Sequence, residues 1–512
     1  MRQFHILAPA VLIVLAPANA QFAPGAPGGG VSRAVQLPLS GRTGAPGGVA
    51  TVQAPLPGST QSVNTINSSV QVQGSYQGSV AQGTLSGAPV PLSLDEAIRR
   101  GLQYNLGTVA FENGIRQARG ERYVALSQLL PNLSASLQET GQQTNLAALG
   151  FSFHSPIPGF NFPTVVGPFH YFDVRSRLSW MAADLTNIRS YRATAESLRA
   201  TELSAQDARD LVTLAVTGAY LQIISAAARI ESARAQVTTA QAIYQQAADR
   251  HDAGLSARID VTRSQVELQT EQQRLTSQET DFAKQKILLN RLIGLPAGQD
   301  VVLTDALPFS PLAGLTLDQA LDRAYRNRAD LKAAEAQVRA AALVRKAAVA
   351  ERYPSIEFNA DYGVIGPQPT NSHGTFSVTG SVRVPIFQGG RVHGDIEQAD
   401  AALEQRRAEY QDLRGRIDAD VRNAFLDLTA AASQVRLATS NRALAQETLG
   451  QARDRYAAGV ADTVEVVQAQ QTIAAADLDY ISSLYAHSLA KASLARALGQ
   501  ADQNIKEFLR RP

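Results

Sequence analysis

The sequence predicts an α+β membrane protein: four strands per chain contribute to a β-barrel shared between copies, and a long α-helical coiled-coil tunnel continues it. Three observations carry that expectation. The chain repeats itself over most of its length. Each half switches from helical to alternating hydrophobic periodicity and back. Aromatic residues crowd around the alternating stretches, as at membrane interfaces.

At 512 residues the chain exceeds one compact core, so an elongated architecture is expected. Residues 1–20, MRQFHILAPAVLIVLAPANA, read as an export signal peptide: Arg2, an apolar run from Ile6 to Leu15, then the small pair Ala18 and Ala20 before a cut. That run is shorter than the roughly 18 to 20 residues a spanning helix needs, and no later run is longer, which argues against a helical membrane protein. The absence of cysteine excludes disulfides and a lipid-bearing cysteine. Lys plus Arg number 47 against 45 Asp plus Glu, so no bulk charge attracts nucleic acid. Residues 21–91 are Gly, Pro, Ser, Gln and Val with almost no charge, and are expected to form a disordered low-complexity tail, with a local strand open around Ser68 to Val80.

The first repeat is expected over 92–311 and the second over 312–500, with 501–512 as a C-terminal tail. LSLDEAIRRGL at Leu92 matches LTLDQALDRAY at Leu315, and Pro131 matches Pro354, at a constant offset of 223. Gly254 matches Gly459, and Ile293-Gly294 matches Leu498-Gly499, at an offset of 205. The 18-residue difference falls between Pro131 and Trp180, so the first half carries the longer insertion.

In the first half, Ser93 as N-cap and Glu96 three residues on make a capping box, opening helix that runs to Leu130. Pro131 stops it. The period then becomes two, predicting β-hairpins over 132–180 and 355–385. Leu133, Ala135 and Leu137 alternate with polar residues, and Val174, Leu178 and Trp180 alternate with Asp173, Arg175 and Arg177. In the second half Ile356, Phe358, Ala360, Tyr362 and Val364 alternate with Glu357 and Asp361, and Val378, Val382 and Val384 with Arg383. Strands of about ten residues suit a tilted bilayer crossing. A soluble sheet with its oily face on a helix shows the same alternation. The aromatics from Phe151 to Trp180, including Phe153, Phe160, Phe162, Phe169, Tyr171 and Phe172, favour the membrane.

Long helical hairpins are expected over 186–293 and 391–498. Val216, Ile223, Ile230, Val237 and Tyr244 recur every seven residues, each followed three positions later by alanine. Val421, Leu428, Val435, Arg442 and Leu449 repeat the seam, and only Arg442 breaks it. Alanine at one heptad core position lets backbones approach closely. Returning seams run through Val261, Leu268, Leu275, Phe282 and Leu289, and through Val466, Ile473, Tyr480, His487 and Leu494. Gly254 and Gly459 close the turns between the helices. The outgoing helix rises about 100 Å at 1.5 Å per residue.

Four strands cannot close a barrel, and lipid tolerates no open sheet edge, so several copies must contribute. The duplicated (S/T)LxxA, helix-proline-strand, PIFQGGR (Pro385 to Arg391) and RxxxG(L/V) elements resemble the TolC-like outer membrane efflux protein family over nearly all of Leu92 to Gln500. The resemblance implies a homotrimer with a 12-strand barrel in the outer membrane lipid and a tunnel in the periplasm. It implies an exit duct of a tripartite efflux or type I secretion system, partnered by a periplasmic adaptor protein and an inner-membrane pump. By match to the family's tip motifs, Gly254, Leu255, Ser256, Gly459, Val460 and Ala461 would contact the adaptor; a plain helix-connecting turn is the alternative. The family's periplasmic gate maps to Asp260, Tyr456, Glu465 and Gln468, with Ala461 where an arginine tether is common. Glu465 on the axis would gather carboxylates and favour cations, whereas a solvated flank charge is its bland reading. The barrel lumen would hold Asp173, Arg175, Arg177, Glu357, Asp361 and Arg383.

An enzyme is not supported. The seven histidines are scattered, no nucleophile elbow, phosphate loop or dinucleotide fingerprint is present, and no metal or cofactor is expected. Gly389-Gly390 reads as a strand-to-helix hinge, and the first half's Trp180 to Leu185 as a stiffer one. The competing function is a secreted or periplasmic coiled-coil structural or adhesive protein, which accounts for the heptads but not for membrane-length strands in both halves.

Overall fold

The computed structural model describes residues 33, 37–38, 47–55, 66–148, 150, 163–305, 309–310 and 314–510. The signal peptide at 1–20 and Phe151 to Phe162 of the aromatic loop lie outside the described residues. The chain divides into two compact units. One holds Val124–Ser190 and Lys346–Asp395, with Arg33; the other holds Tyr191–Arg345, the described residues from Ile396 onward, and those from Leu37 to Tyr123.

In the first unit four antiparallel strands form one open sheet. They are β4 (Asn132–Asn145), β5 (Val165–Ala183), β7 (Ser355–Gly366) and β8 (His373–Arg383), in the order β4-β5-β7-β8. Pairing is continuous through Leu133↔Leu178, Arg177↔Asp361, Trp180↔Phe358 and Ala360↔Val378. The first hairpin, with strands of 14 and 19 residues, exceeds the ten-residue expectation, while the second has 12 and 11. Gly363 lets strands approach: a Cβ there would lie 2.4 Å from the Val174 carbonyl oxygen.

β5 hands over directly to α3 (Leu185–Asp252), because Asp184 Oδ1 accepts from the amides of Thr186 (2.7 Å) and Asn187 (3.3 Å). β8 instead leads through Pro385 to Gly390 into α7 (Arg391–Ala457), with Gly389 and Gly390 at φ 58° and 83°. The motif's Arg391 then reaches the buried Glu351 carboxylate (2.7 Å).

The second unit is built from helices. α1 (Leu94–Tyr104) and α2 (Leu106–Ser127) are matched by α5 (Leu317–Asn327) and α6 (Ala329–Ala350). The expected box at Ser93 forms by half: Ser93 accepts from the Glu96 amide (3.3 Å), but the Glu96 carboxylate turns to Arg99. Its counterpart Thr316 and Gln319 form both bonds. The single first helix expected to Leu130 is broken at Asn105, as the counterpart is at Arg328. Both are buried hubs. Asn105 donates to the carbonyls of Tyr76 (2.9 Å) and Leu292 (3.2 Å), and Arg328 pairs with Asp330 (2.7 Å) and Asp420 (3.0 Å).

α3 and α7 have 68 and 67 residues, about 100 Å each at 1.5 Å per residue. Their seams are buried at Val216, Ile223, Ile230, Val421, Leu428 and Val435 and at Ala226, Ala424 and Ala431. Toward its end the α3 seam moves from Tyr244 to Ile243, the drift of a straight helix against a seven-residue repeat. α4 (Arg258–Ile293) and α8 (Thr463–Ala497) return. α3 also carries a stretch apolar and long enough to cross a membrane, but two-thirds of it is buried within the protein.

Two expectations are corrected. The described part of 21–91 is ordered: β1 (Val49–Pro55) pairs with β2 (Ile66–Val72), and β3 (Val90–Leu92) pairs in parallel with β6 (Val301–Leu303). Helix glycines receive its large side chains, since a Cβ at Gly218 would lie 2.2 Å from Val70 and one at Gly107 2.4 Å from the Tyr76 ring. Composition alone omits such recesses. The residues from Ala501 are likewise a helix, α9 (Ala501–Arg510), burying Ala501, Ile505 and Leu509 in the same core as Tyr76.

Candidate functional site

Two regions carry the sequence-based expectations: the sheet and the two helical tips. In the sheet, strand alternation puts Leu133, Leu137, Tyr362, Phe376, Val378 and Val382 on one face, and each is 61 to 77% exposed. The opposite face is charged and internally paired. Arg175 bonds Asp361, Asp173 (3.3 Å) and Thr375 (3.2 Å), Arg383 lies 3.8 Å from Glu357, and Arg177 donates to Ser136 (3.3 Å). The side chains of Arg175, Asp173 and Asp361 are only 16 to 24% exposed. All six lumen candidates therefore lie on one polar face. This inverts the usual order of a water-soluble sheet, in which apolar groups are the covered ones. Ile386 and Phe387, just past β8, are 95% and 88% exposed. Trp180 ties its ring nitrogen to the Leu129 carbonyl (3.0 Å).

The tips share one construction. Gly254 and Gly459 adopt φ 75° and 76°, the left-handed cap conformation. The bonds of that cap are present in both: Gly254 to His251 (2.8 Å) and Leu255 to Arg250 (2.8 Å), then Gly459 to Tyr456 (3.1 Å) and Val460 to Arg455 (3.0 Å). A Cβ at Gly254 would touch nothing within 4 Å, so glycine is required there by backbone conformation rather than by space. Leu255 and Val460 are exposed apolar residues at the two turns. His251 donates from Nδ1 to the Ser256 carbonyl (2.9 Å), and Asp462 caps α8 by accepting from the Glu465 amide (3.1 Å). Ala461 is half-buried.

The gate candidates are not brought together. Tyr456 is buried against Ile243, Leu449, Ala452, Val466 and Ile473, which corrects its expected place at an opening. The signal was present: Tyr456 continues the Val421-to-Leu449 seam by one more heptad. Glu465 pairs with Arg455 across its own turn (3.0 Å), Asp260 pairs with Arg263 (3.5 Å), and Gln468 is exposed.

Arg250 is the tip residue that sequence reasoning missed. Its Nη1 donates to the Tyr456 carbonyl (2.7 Å) and its guanidinium lies 4.6 Å from the Tyr456 ring centroid. It joins one hairpin turn to the other. Arg442, the residue that breaks the seam, pairs with Asp477 (2.6 Å) and lies 5.0 Å from the Tyr480 ring centroid.

Comparison with known proteins agrees with this geometry. The family model described as outer membrane efflux protein matches residues 320–500. The chain is 25% identical over 433 residues to the pyoverdine export outer membrane protein OpmQ of Pseudomonas aeruginosa, covering 83% of this chain and 88% of that one. It is 26% identical over 323 residues to outer membrane protein OprJ of the same organism, covering 60% and 65%. Among solved structures, the outer membrane protein VceC of Vibrio cholerae aligns with a TM-score of 0.67 at 19% identity, over 79% of this chain and 96% of that one.

Proposed function

We propose that this chain belongs to the TolC-like outer membrane efflux protein family, which it resembles, and is the exit duct through which an inner-membrane pump discharges its substrate. The matching family model is described as outer membrane efflux protein and OpmQ is named as an export outer membrane protein, and the secreted coiled-coil alternative finds no support among these matches. The observation that carries the reading is the inverted sheet. Its oily face is exposed, its charged face is neutralised by its own ion pairs, and β4 and β8 leave both edges unpaired in this sheet. Lipid around the first, water along the second and further copies at the third satisfy all three demands together. Three copies of four strands make the 12-strand barrel of the resembled family. We read the two halves, with matching helix lengths of 11, 22, 68 and 36 against 11, 22, 67 and 35 residues, as a duplicated unit.

The duct does no chemistry. The pump supplies the energy, and a polar wall bearing Asp173, Arg175, Arg177, Glu357, Asp361 and Arg383 passes hydrated solutes. Gly254, Leu255, Ser256, Gly459, Val460 and Ala461 form the surface for a periplasmic adaptor, with the exposed Leu255 and Val460 as its apolar contacts. Asp260, Glu465 and Gln468 carry the gate's charge and polarity, while Tyr456 packs beneath it. Membrane fractionation tests the first claim: the chain stays with the outer membrane until detergent is added, and release by salt alone refutes it. Conductance in planar bilayers tests the second. Glu465→Ala is expected to raise it by freeing Arg455, and unchanged conductance removes Glu465 from the gate.

A further inference from the structure

We propose that the helical unit holds a binding site for a small apolar carboxylate, in a cavity of about 520 Å³ walled by α3 and α8 and bounded by Arg442 of α7. All three helices belong to one chain, so the site is complete within a single copy. Leu221 and Ile224 of α3 and Ile481 and Leu484 of α8 supply apolar walls. The volume lies in the range of small-molecule sites, which combine such walls with a few placed polar groups.

Those groups are present and unsatisfied. Ser225 and Tyr485 line the cavity and are each 7% exposed, yet neither hydroxyl has a hydrogen-bond partner. A buried hydroxyl without an acceptor is unfavourable, and a ligand oxygen removes that penalty. The pairing of the neighbouring charges selects the ligand's sign. Asp477 is matched by Arg442 (2.6 Å) and also receives Ser232 Oγ (3.2 Å), while Arg234 is taken by both Glu231 (3.1 Å) and Glu279 (3.1 Å). Arg229, one helical turn along α3 from the cavity-lining Ser225, bonds the Ser482 hydroxyl (3.1 Å), and its buried Nε has no acceptor. No carboxylate among the described residues pairs with Arg229. Arg229 is therefore the one of these three arginines without a carboxylate partner, near two orphaned hydroxyl donors, and a carboxylate answers both.

The test uses the full chain in lipid nanodiscs and equilibrium dialysis against 2-naphthoate, with empty nanodiscs as the blank. One saturable site per chain is expected, weakened about tenfold or more by Tyr485→Phe and less by Ser225→Ala, as loss of a hydrogen bond to a charged group requires. Ala228→Phe, at an exposed position on the cavity wall, should block uptake while helical circular dichroism is retained. The amine of equal size, 2-naphthylmethylamine, should not compete. Uptake no greater than the blank overturns the site. So does uptake unchanged in both hydroxyl variants, and so does an amine or neutral 2-naphthol that binds as tightly as the acid. Because the readout is binding and not conductance, failure here leaves the duct reading intact, and failure of that reading leaves the site testable.

Discussion

Removing the Arg250 side chain should loosen the two hairpin tips from each other. Its bond to the Tyr456 carbonyl is 2.7 Å and charge-assisted, a class worth about 1.5 to 3 kcal/mol. The stacking on the Tyr456 ring at 4.6 Å adds about 0.5 to 1 kcal/mol at a partly exposed site. Arg250 is half-buried, so solvent screening keeps the total nearer about 2 kcal/mol, a roughly thirtyfold rise in the separated population. Hydrogen exchange of the amides of Gly459 and Val460 reads that population directly. Arg250→Ala should speed it by at least about tenfold. Arg455→Ala at the equivalent position should change it little, because the Arg455 pair with Glu465 joins two exposed groups of one hairpin. The difference between these arginines has a local cause. Glu465 reaches back to Arg455, whereas its counterpart Asp260 is one methylene shorter and bonds Arg263 instead, leaving Arg250 free to cross. Asp260→Glu should therefore recapture Arg250 and mimic Arg250→Ala. Exchange within about twofold of the parent in Arg250→Ala refutes the clamp.

Two further perturbations bear on other parts of the molecule. Val378→Arg places a charge on the exposed oily face and should cost about 2 to 4 kcal/mol at mid-membrane, abolishing heat-modifiable oligomer on gels, whereas Thr379→Arg on the opposite face should be tolerated. His487 is buried and its pKa is lowered to about 4, first by burial and then by Lys491. The unfolded chain takes up that proton near pH 6.5, so stability present above that pH is lost as pH falls toward 4, by about 2 kcal/mol at pH 5. His487→Phe, which installs the residue found at Phe282, should remove that difference in melting temperature between pH 7 and pH 5.

Strand faces were legible because a period of two leaves no freedom: once Arg175 and Asp361 are on one side, Val174 and Phe376 must be on the other. The tips were legible because a glycine between two heptad runs has few conformations to choose from. What escaped notice depends on partners distant in sequence. The breaks at Asn105 and Arg328 interrupt a good helical pattern, and only the carbonyls and carboxylates that meet them show why. Tyr456 was placed by analogy at an opening although its own heptad register assigned it to the interior. The order of 47–55 and 66–91 rests on recesses at Gly107 and Gly218, which composition cannot report.

The seam of the second hairpin shows why stability alone does not explain the sequence. Val237, Gln272 and Leu275 in the first hairpin occupy the positions of Arg442, Asp477 and Tyr480 in the second. A partly buried ion pair generally gains no more than a well-packed apolar replacement, because desolvation offsets the attraction. The first hairpin demonstrates that an uncharged version folds at this level of the same helical design. Arg442, Asp477 and Tyr480 must then be kept for something packing does not supply. They form one end of the cavity whose other polar atoms, in Ser225 and Tyr485, are left without partners. A charged pair held at 2.6 Å and fixed by Ser232 fixes the position of that end against the coiled coil's tendency to close. The break in the heptad and the orphaned hydroxyls are thus two consequences of a single arrangement.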